Sequence, residues 1–154
     1  MKVCDFLTEK NVFFDMKPKD KKELLQDFVS ALKKNGLIKD EEVILDELLK
    51  REALGSTGLE RGIAVPHALT GKVEETLVAL ALVKDGIDYE AADGQPTFVI
   101  IILLGNKKNP GNQLKILAHI CRMVKETDVV EKIKKSKSAM DICQIFTEEE
   151  GKIA

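Results

Sequence analysis

Apolar residues recur along the chain with two periods, and the change of period separates helices from strands. Between Pro18 and Gly36, residues Leu24, Leu25, Phe28, Ala31 and Leu32 share one helical face. Asp20 and Glu23 have capping-box spacing and Asn35-Gly36 supplies a stop, so the first helix is predicted there. A second is predicted from about Asp40 to a stop before Gly55, burying Val43, Ile44, Leu45 and Leu48. After the polar loop "NKKNPGNQ", Leu114, Leu117, Cys121 and Val124 mark one face of a third helix. A short helix follows from Asp128 to Lys135, and Ser138 with Asp141 caps a last one carrying Ala139, Ile142, Ile145 and Phe146.

Between these helices the pattern changes. "NVFF" at 11–14 is a candidate first strand. In "GIAVPH", at 62–67, side chains alternate, so Ile63, Val65 and His67 point one way and Ala64 and Pro66 the other. Pro66 has no amide hydrogen for a ladder and belongs at a sheet edge or strand end. "TLVALALV" at 76–83 and "TFVIIILL" at 97–104 are apolar without alternation, the mark of central strands covered on both faces, and "GIDYEAADGQP" is the turn-rich connection between them. The expected fold is α/β: a single-domain sandwich with a mixed central sheet of about four or five strands and helices on both faces. One domain spans 1–154, with a core of about 6–146 and a frayed tail "TEEEGKIA".

Composition narrows the function classes. The chain is 44% hydrophobic and 32% charged, the balance of a globular protein. Its net charge of −2 gives no general attraction to nucleic acid or anionic membrane. "FVIIILL" is too short to span a bilayer, and the first residues lack a signal-peptide core, so the expected location is cytoplasmic. Three cysteines without C-x-x-C spacing read as core thiols, and no clustered ligands suggest a metal.

Candidate chemistry gathers in "RGIAVPHALT", 61–70, and "REALGSTG", 51–58. His67 sits where a strand meets a loop, a place that fixes a side chain yet leaves it accessible; a structural residue beside proline is the other reading. Arg51, Ser56 and Thr57 occupy a glycine-flanked turn leading into that strand. A guanidinium, two hydroxyls and free backbone amides form a receptor for a phosphate-like dianion; equally, the segment is a helix C-terminus with Arg51 on its dipole. His119, with Lys115, Arg122 and Glu126, reads as surface on a polar helix face, and "KIKKSK" at 132–137 as a solvated helix end or a docking patch.

The composite "RxxLGSTGLxxGIAVPHA" resembles the active-site signature of the type-2 enzyme IIA domains of the bacterial phosphoenolpyruvate-dependent phosphotransferase system. "IDYEAADGQPTFVIIILL" and "NQLKILAHICR" are similar to the blocks that follow it in that family. The resemblance implies a phosphocarrier: His67 receives phosphate from the small histidine-containing carrier protein and passes it to a cysteine of an enzyme IIB, without metal or cofactor. The alternative is a nitrogen-regulatory branch that controls partner proteins through its phosphorylation state. Arg51, Ser56 and Thr57 match the family's phosphate-stabilising positions. The sequence departs at Glu60, where many members carry glycine, and at Gln113, where many carry a second histidine. Gln113 is therefore expected to orient phosphate or imidazole without supplying charge.

Overall fold

Two unbroken apolar runs need cover on both faces, and the chain provides it. The computed structural model describes residues 2–153. A mixed five-stranded sheet has β1 (Val12–Phe13) beside β4 (Leu77–Ile87), then β5 (Thr97–Asn106), then β2 (Ile63–Ala64). The strand β3 (His67–Thr70) follows β2 along the same edge of β5. β4 and β5 pair antiparallel, whereas β1 on β4 and both β2 and β3 on β5 are parallel.

Alternation along the strands divides the interior into two layers. Val78, Leu80, Leu82, Val99, Ile101 and Leu103 pack under α3 (Pro110–Glu126), α4 (Val129–Lys134) and α5 (Ala139–Gly151). On the other face, Ala79, Ala81, Val83, Ile100, Ile102 and Leu104 meet α1 (Lys21–Lys34) and α2 (Glu41–Ala53). Alanines on β4 leave room there for Leu24, Phe28 and Leu48. Each fully buried leucine or isoleucine contributes about 1.5–3 kcal/mol.

The predicted caps of α1 and α5 form: Asp20 accepts the Glu23 amide at 2.8 Å and Ser138 that of Asp141 at 3.0 Å. Two helix faces differ from expectation. Val43 is 41% exposed, because Ile44 and Leu48 already fill the space under α2. On α3 the buried stripe is Gln113, Ile116, Ile120, Met123 and Val124, one position away from the expected one, and Leu114 lies 68% exposed. Both stripes have helical spacing, but the observed one places the branched Ile116 and Ile120 and the flexible Met123 in the core and turns Leu114 outward. A third difference lies at Pro66. The strand does not run on into a loop; it breaks after Ala64 and resumes as β3 at His67.

The tail does not fray. α5 continues to Gly151, Glu149 and Glu150 are buried, and Ile153 packs into the core. Glu150 accepts the Val3 amide at 2.6 Å and the Cys4 amide at 2.9 Å, which caps the first turn of chain. His119 Nε2 lies 2.6 Å from Glu150 Oε2, so His119 is a tie between α3 and the C-terminus and not a free surface residue. Glu149 is held by Lys132 at 3.0 Å and Lys152 at 2.6 Å, and Lys134 stacks over the Phe98 ring. The basic run is thereby partly consumed by contacts within the fold.

Burial alone pushes the Glu150 carboxyl up, but hydrogen bonds from Cys4, Val3 and His119 outweigh it and hold the group below its ordinary value of 4.5. A depressed folded pKa contributes stability above that value and loses it as pH falls through the folded one. Glu150→Gln is expected to destabilise the protein by about 1.5–3 kcal/mol at pH 7. Urea titrations at descending pH should show the gap to wild type closing below about pH 4; a gap independent of pH would contradict this.

Candidate functional site

Pro66 creates the site by interrupting an edge strand. Leu103 N–H still donates to the Pro66 carbonyl at 3.0 Å, so β5 carries the chain through the break and into β3. On the other side, Val65 N–H donates to Thr57 O at 3.0 Å and Leu59 N–H to Ile63 O at 2.8 Å, tying the 57–59 segment back along β2. The tight reversal between them places Arg61 and Gly62 at positive φ, 65° and 82°. The non-glycine residue Glu60 is outside that region, so its departure from the family pattern strains nothing. Arg61 is anchored in return, its guanidinium donating to the carbonyls of Val124 at 3.0 Å and Lys125 at 3.2 Å.

His67 Nδ1 lies 2.8 Å from the Val65 carbonyl oxygen. A carbonyl can only accept, so in the neutral ring Nδ1 carries the hydrogen and Nε2 keeps its lone pair. The ring is half-buried and opens into a depression of about 430 Å³. α2 contributes Glu47, Lys50 and Arg51 to its wall, β3 contributes Leu69, and α3 contributes Gln113. Arg51 and Lys50 thus stand beside the ring-locked imidazole, with Lys50 paired to Asp46 at 2.9 Å and Glu47 on the same wall. Arg51 Nη1 donates to Gly55 O at 3.1 Å, leaving the rest of its fork available. A larger depression of about 560 Å³ at the start of β5, around Arg61 and Phe98, contains neither histidine nor cysteine.

The other expected residues are placed differently. The Ser56 hydroxyl donates to the Tyr89 carbonyl at 2.7 Å and accepts the Gly58 amide at 3.0 Å. The buried Thr57 hydroxyl donates to Glu52. Neither lines the depression: both hydroxyls are spent shaping the turn, so they are not aimed at an anion beside His67. Gln113 does reach the site, but its amide nitrogen donates to Ala68 O at 2.8 Å and lies 3.5 Å from Leu103 O. Its donors hold β3 and β5 together. Gly105 makes this approach possible, since a Cβ there would lie 3.1 Å from Gln113 Nε2.

The residues that sequence reasoning missed are Lys50, which patterning marks as an ordinary helix-surface lysine, and Glu52. Glu52 had a signal in its favour: an acidic residue at i+4 from Leu48 on the buried stripe of α2.

A family model described as the phosphoenolpyruvate-dependent sugar phosphotransferase system, EIIA 2, matches residues 5–149. The chain belongs to this family. Among curated relatives, the fructose-specific EIIABC component of Bacillus subtilis is 28% identical over 148 residues. That match takes in 96% of this chain, which spans only 23% of the larger protein. The nitrogen regulatory protein of Bradyrhizobium diazoefficiens is 30% identical over 147 residues, 95% of either chain. Among solved structures, the nitrogen regulatory protein IIA-Ntr of Neisseria meningitidis superposes with a TM-score of 0.84 at 26% identity, covering 94% of this chain and 98% of that one. Among the described residues no helix is long and apolar enough to cross a membrane.

Gln113→Leu removes a side-chain hydrogen bond to the buried Ala68 carbonyl, which also belongs to the β3–β5 ladder. It is therefore expected to lower stability by about 0.5–1.5 kcal/mol. Equilibrium urea unfolding measures this, and an unchanged midpoint would show that the strap carries no load.

Proposed function

We propose that the chain is a phosphocarrier and that His67 Nε2 carries the phosphoryl group. The observation that supports this best is the Nδ1 hydrogen bond to Val65, which leaves Nε2 unprotonated and open to the depression beside Arg51. The Nε2 lone pair attacks phosphorus on the phosphohistidine of the small histidine-containing carrier protein. The new N–P bond forms as the bond to the donor ring breaks, and the hydrogen stays on Nδ1, donated to the Val65 carbonyl, throughout. In the second transfer a cysteine thiolate of an enzyme IIB displaces His67 from phosphorus. Charge on the transferring group is met by Arg51 and Lys50, as phosphoryl transfer asks chiefly for in-line positioning and neutralisation. Only protein side chains take part in this scheme, and it runs between cytoplasmic partners.

Partners would dock on apolar surface around the ring. Leu54, 83% exposed, and Leu69, 37% exposed, flank the depression, and Leu114 follows Gln113 on α3. Apolar anchors around a polar centre suit a transient protein interface. The dense basic run has no part in it.

A nitrogen-regulatory role is the second reading, favoured by the names of the Bradyrhizobium and Neisseria proteins. It shares the first transfer and replaces the enzyme IIB with a target protein that senses the phosphorylation state. Incubation with phosphoenolpyruvate, enzyme I and the histidine carrier, followed by candidate IIB domains, separates the two. Onward transfer supports sugar uptake, and a long-lived phosphoprotein supports regulation.

Label from the carrier is expected on His67 in an acid-labile, alkali-stable linkage and to be lost in His67→Ala. Retention of label in that variant would falsify the assignment. Arg51→Ala is expected to keep its circular dichroism spectrum and to slow transfer by one to two orders of magnitude, the equivalent of about 1.5–3 kcal/mol of charge-assisted hydrogen bonding. Lysine at this position should rescue only part of the rate, because it lacks the planar fork. Wild-type rates in the alanine variant would make Arg51 a bystander.

A further inference from the structure

Behind the His67 depression lies a buried polar cluster that the transfer scheme does not use. Glu52, on α2 next to Arg51, has its side chain only 5% exposed. Its carboxylate is held from three sides. Oε1 accepts the Thr57 amide at 3.1 Å and lies 2.9 Å from Lys21 Nζ, and Oε2 accepts the Thr57 hydroxyl. Lys21 also stands 4.5 Å over the ring of the fully buried Tyr89, whose hydroxyl is 3.4 Å from Thr57 Oγ1. Burial first, then the charge of Glu52, pushes the Tyr89 phenol far up, so the tyrosine stays neutral beside the carboxylate. A buried carboxylate with this many donors costs too much desolvation to be incidental packing.

The cluster connects to the nucleophile through a continuous chain of hydrogen bonds. Glu52 fixes Thr57; the Thr57 carbonyl accepts Val65 N–H at 3.0 Å; the Val65 carbonyl accepts His67 Nδ1–H at 2.8 Å. Val65 precedes proline, which confines its ψ to extended values, so a fixed Val65 amide also fixes where its carbonyl points. The same turn contains Gly55, whose carbonyl holds Arg51. Glu52 does not line the depression and touches none of the reacting atoms.

We propose that Glu52, paired with Lys21, is a positioning residue for phosphoryl transfer: through Thr57 and Val65 it sets the tautomer and orientation of His67. This rests on the phosphocarrier reading, but it is tested by a readout that does not. In long-range proton–nitrogen NMR spectra of the unphosphorylated protein at pH 8, wild type should show His67 overwhelmingly as the Nδ1–H tautomer. Glu52→Ala frees Thr57 and should give a mixed tautomer. Its transfer rate at saturating donor should fall at least tenfold while the KM for the carrier protein changes less than threefold.

Glu52→Gln retains an acceptor for the Thr57 amide, and the Thr57 hydroxyl can turn to accept from the new NH2, so tautomer and rate should recover to within about threefold of wild type. Thr57→Val keeps the shape of the turn and removes only the hydroxyl tie; it decides the matter if Glu52→Ala does not fold, with a mixed tautomer and at least a threefold slower transfer expected. A folded Glu52→Ala, or Thr57→Val in its place, with wild-type tautomer and rate would overturn the proposal. So would a glutamine variant as impaired as the alanine one. If wild-type protein takes no phosphate at His67, the phosphocarrier reading fails while the tautomer comparison still decides what Glu52 does to the ring.

Discussion

One hydrogen bond, from His67 Nδ1–H to the Val65 carbonyl, decides which nitrogen of the ring faces solvent, and the surrounding architecture exists to hold that carbonyl still. An imidazole free to rotate or change tautomer would present either nitrogen to a partner. The 2.8 Å contact removes that choice before any partner arrives. The acceptor belongs to the residue before Pro66, in the break between β2 and β3, so the ring is bonded two residues back along its own chain.

Holding that carbonyl requires support on both sides of the break at Pro66. β5 provides one side, since its Leu103 amide bonds the Pro66 carbonyl and its next residues pair with β3. Ile100, Ile101, Ile102 and Leu103 are fully buried, which makes β5 a well-anchored support. The turn at 55–59 provides the other side and brings Arg51 with it. Gln113, strapped across Ala68 and Leu103, closes the end of β3 against α3. Cations, nucleophile and strap come from three separate elements that meet where β3 begins beside β5.

The layout of the sheet and helices was legible because β4 and β5 are unbroken apolar runs and the helix caps are chemically explicit at Asp20 and Ser138. That His67 and Arg51 come together was legible because the motif around them is dense in unusual residue choices. What patterning could not show is direction. Ser56 and Thr57 carry the hydroxyls an anion site needs, but whether a hydroxyl faces an anion or its own turn depends on Tyr89 and Glu52, distant or ambiguous in sequence. Gln113 looked like a polar residue at a helix start, and only the backbone carbonyls of two strands reveal where its donors go. Likewise "TEEEGKIA" reads as a charged tail; Glu150 is buried because the amides of Val3 and Cys4 come to meet it from the far end of the chain.

Both transfers turn on which nitrogen of His67 carries phosphorus. Protein phosphorylated from the histidine carrier and observed by phosphorus–nitrogen and long-range proton–nitrogen NMR reports this directly. Phosphorus coupled to Nε2 of His67, with the Nδ1 hydrogen retained and protected from exchange, is the expected result. Phosphorus on Nδ1, or on a residue other than His67, would contradict it, since the Val65 carbonyl would then have lost the hydrogen that the site is built to keep.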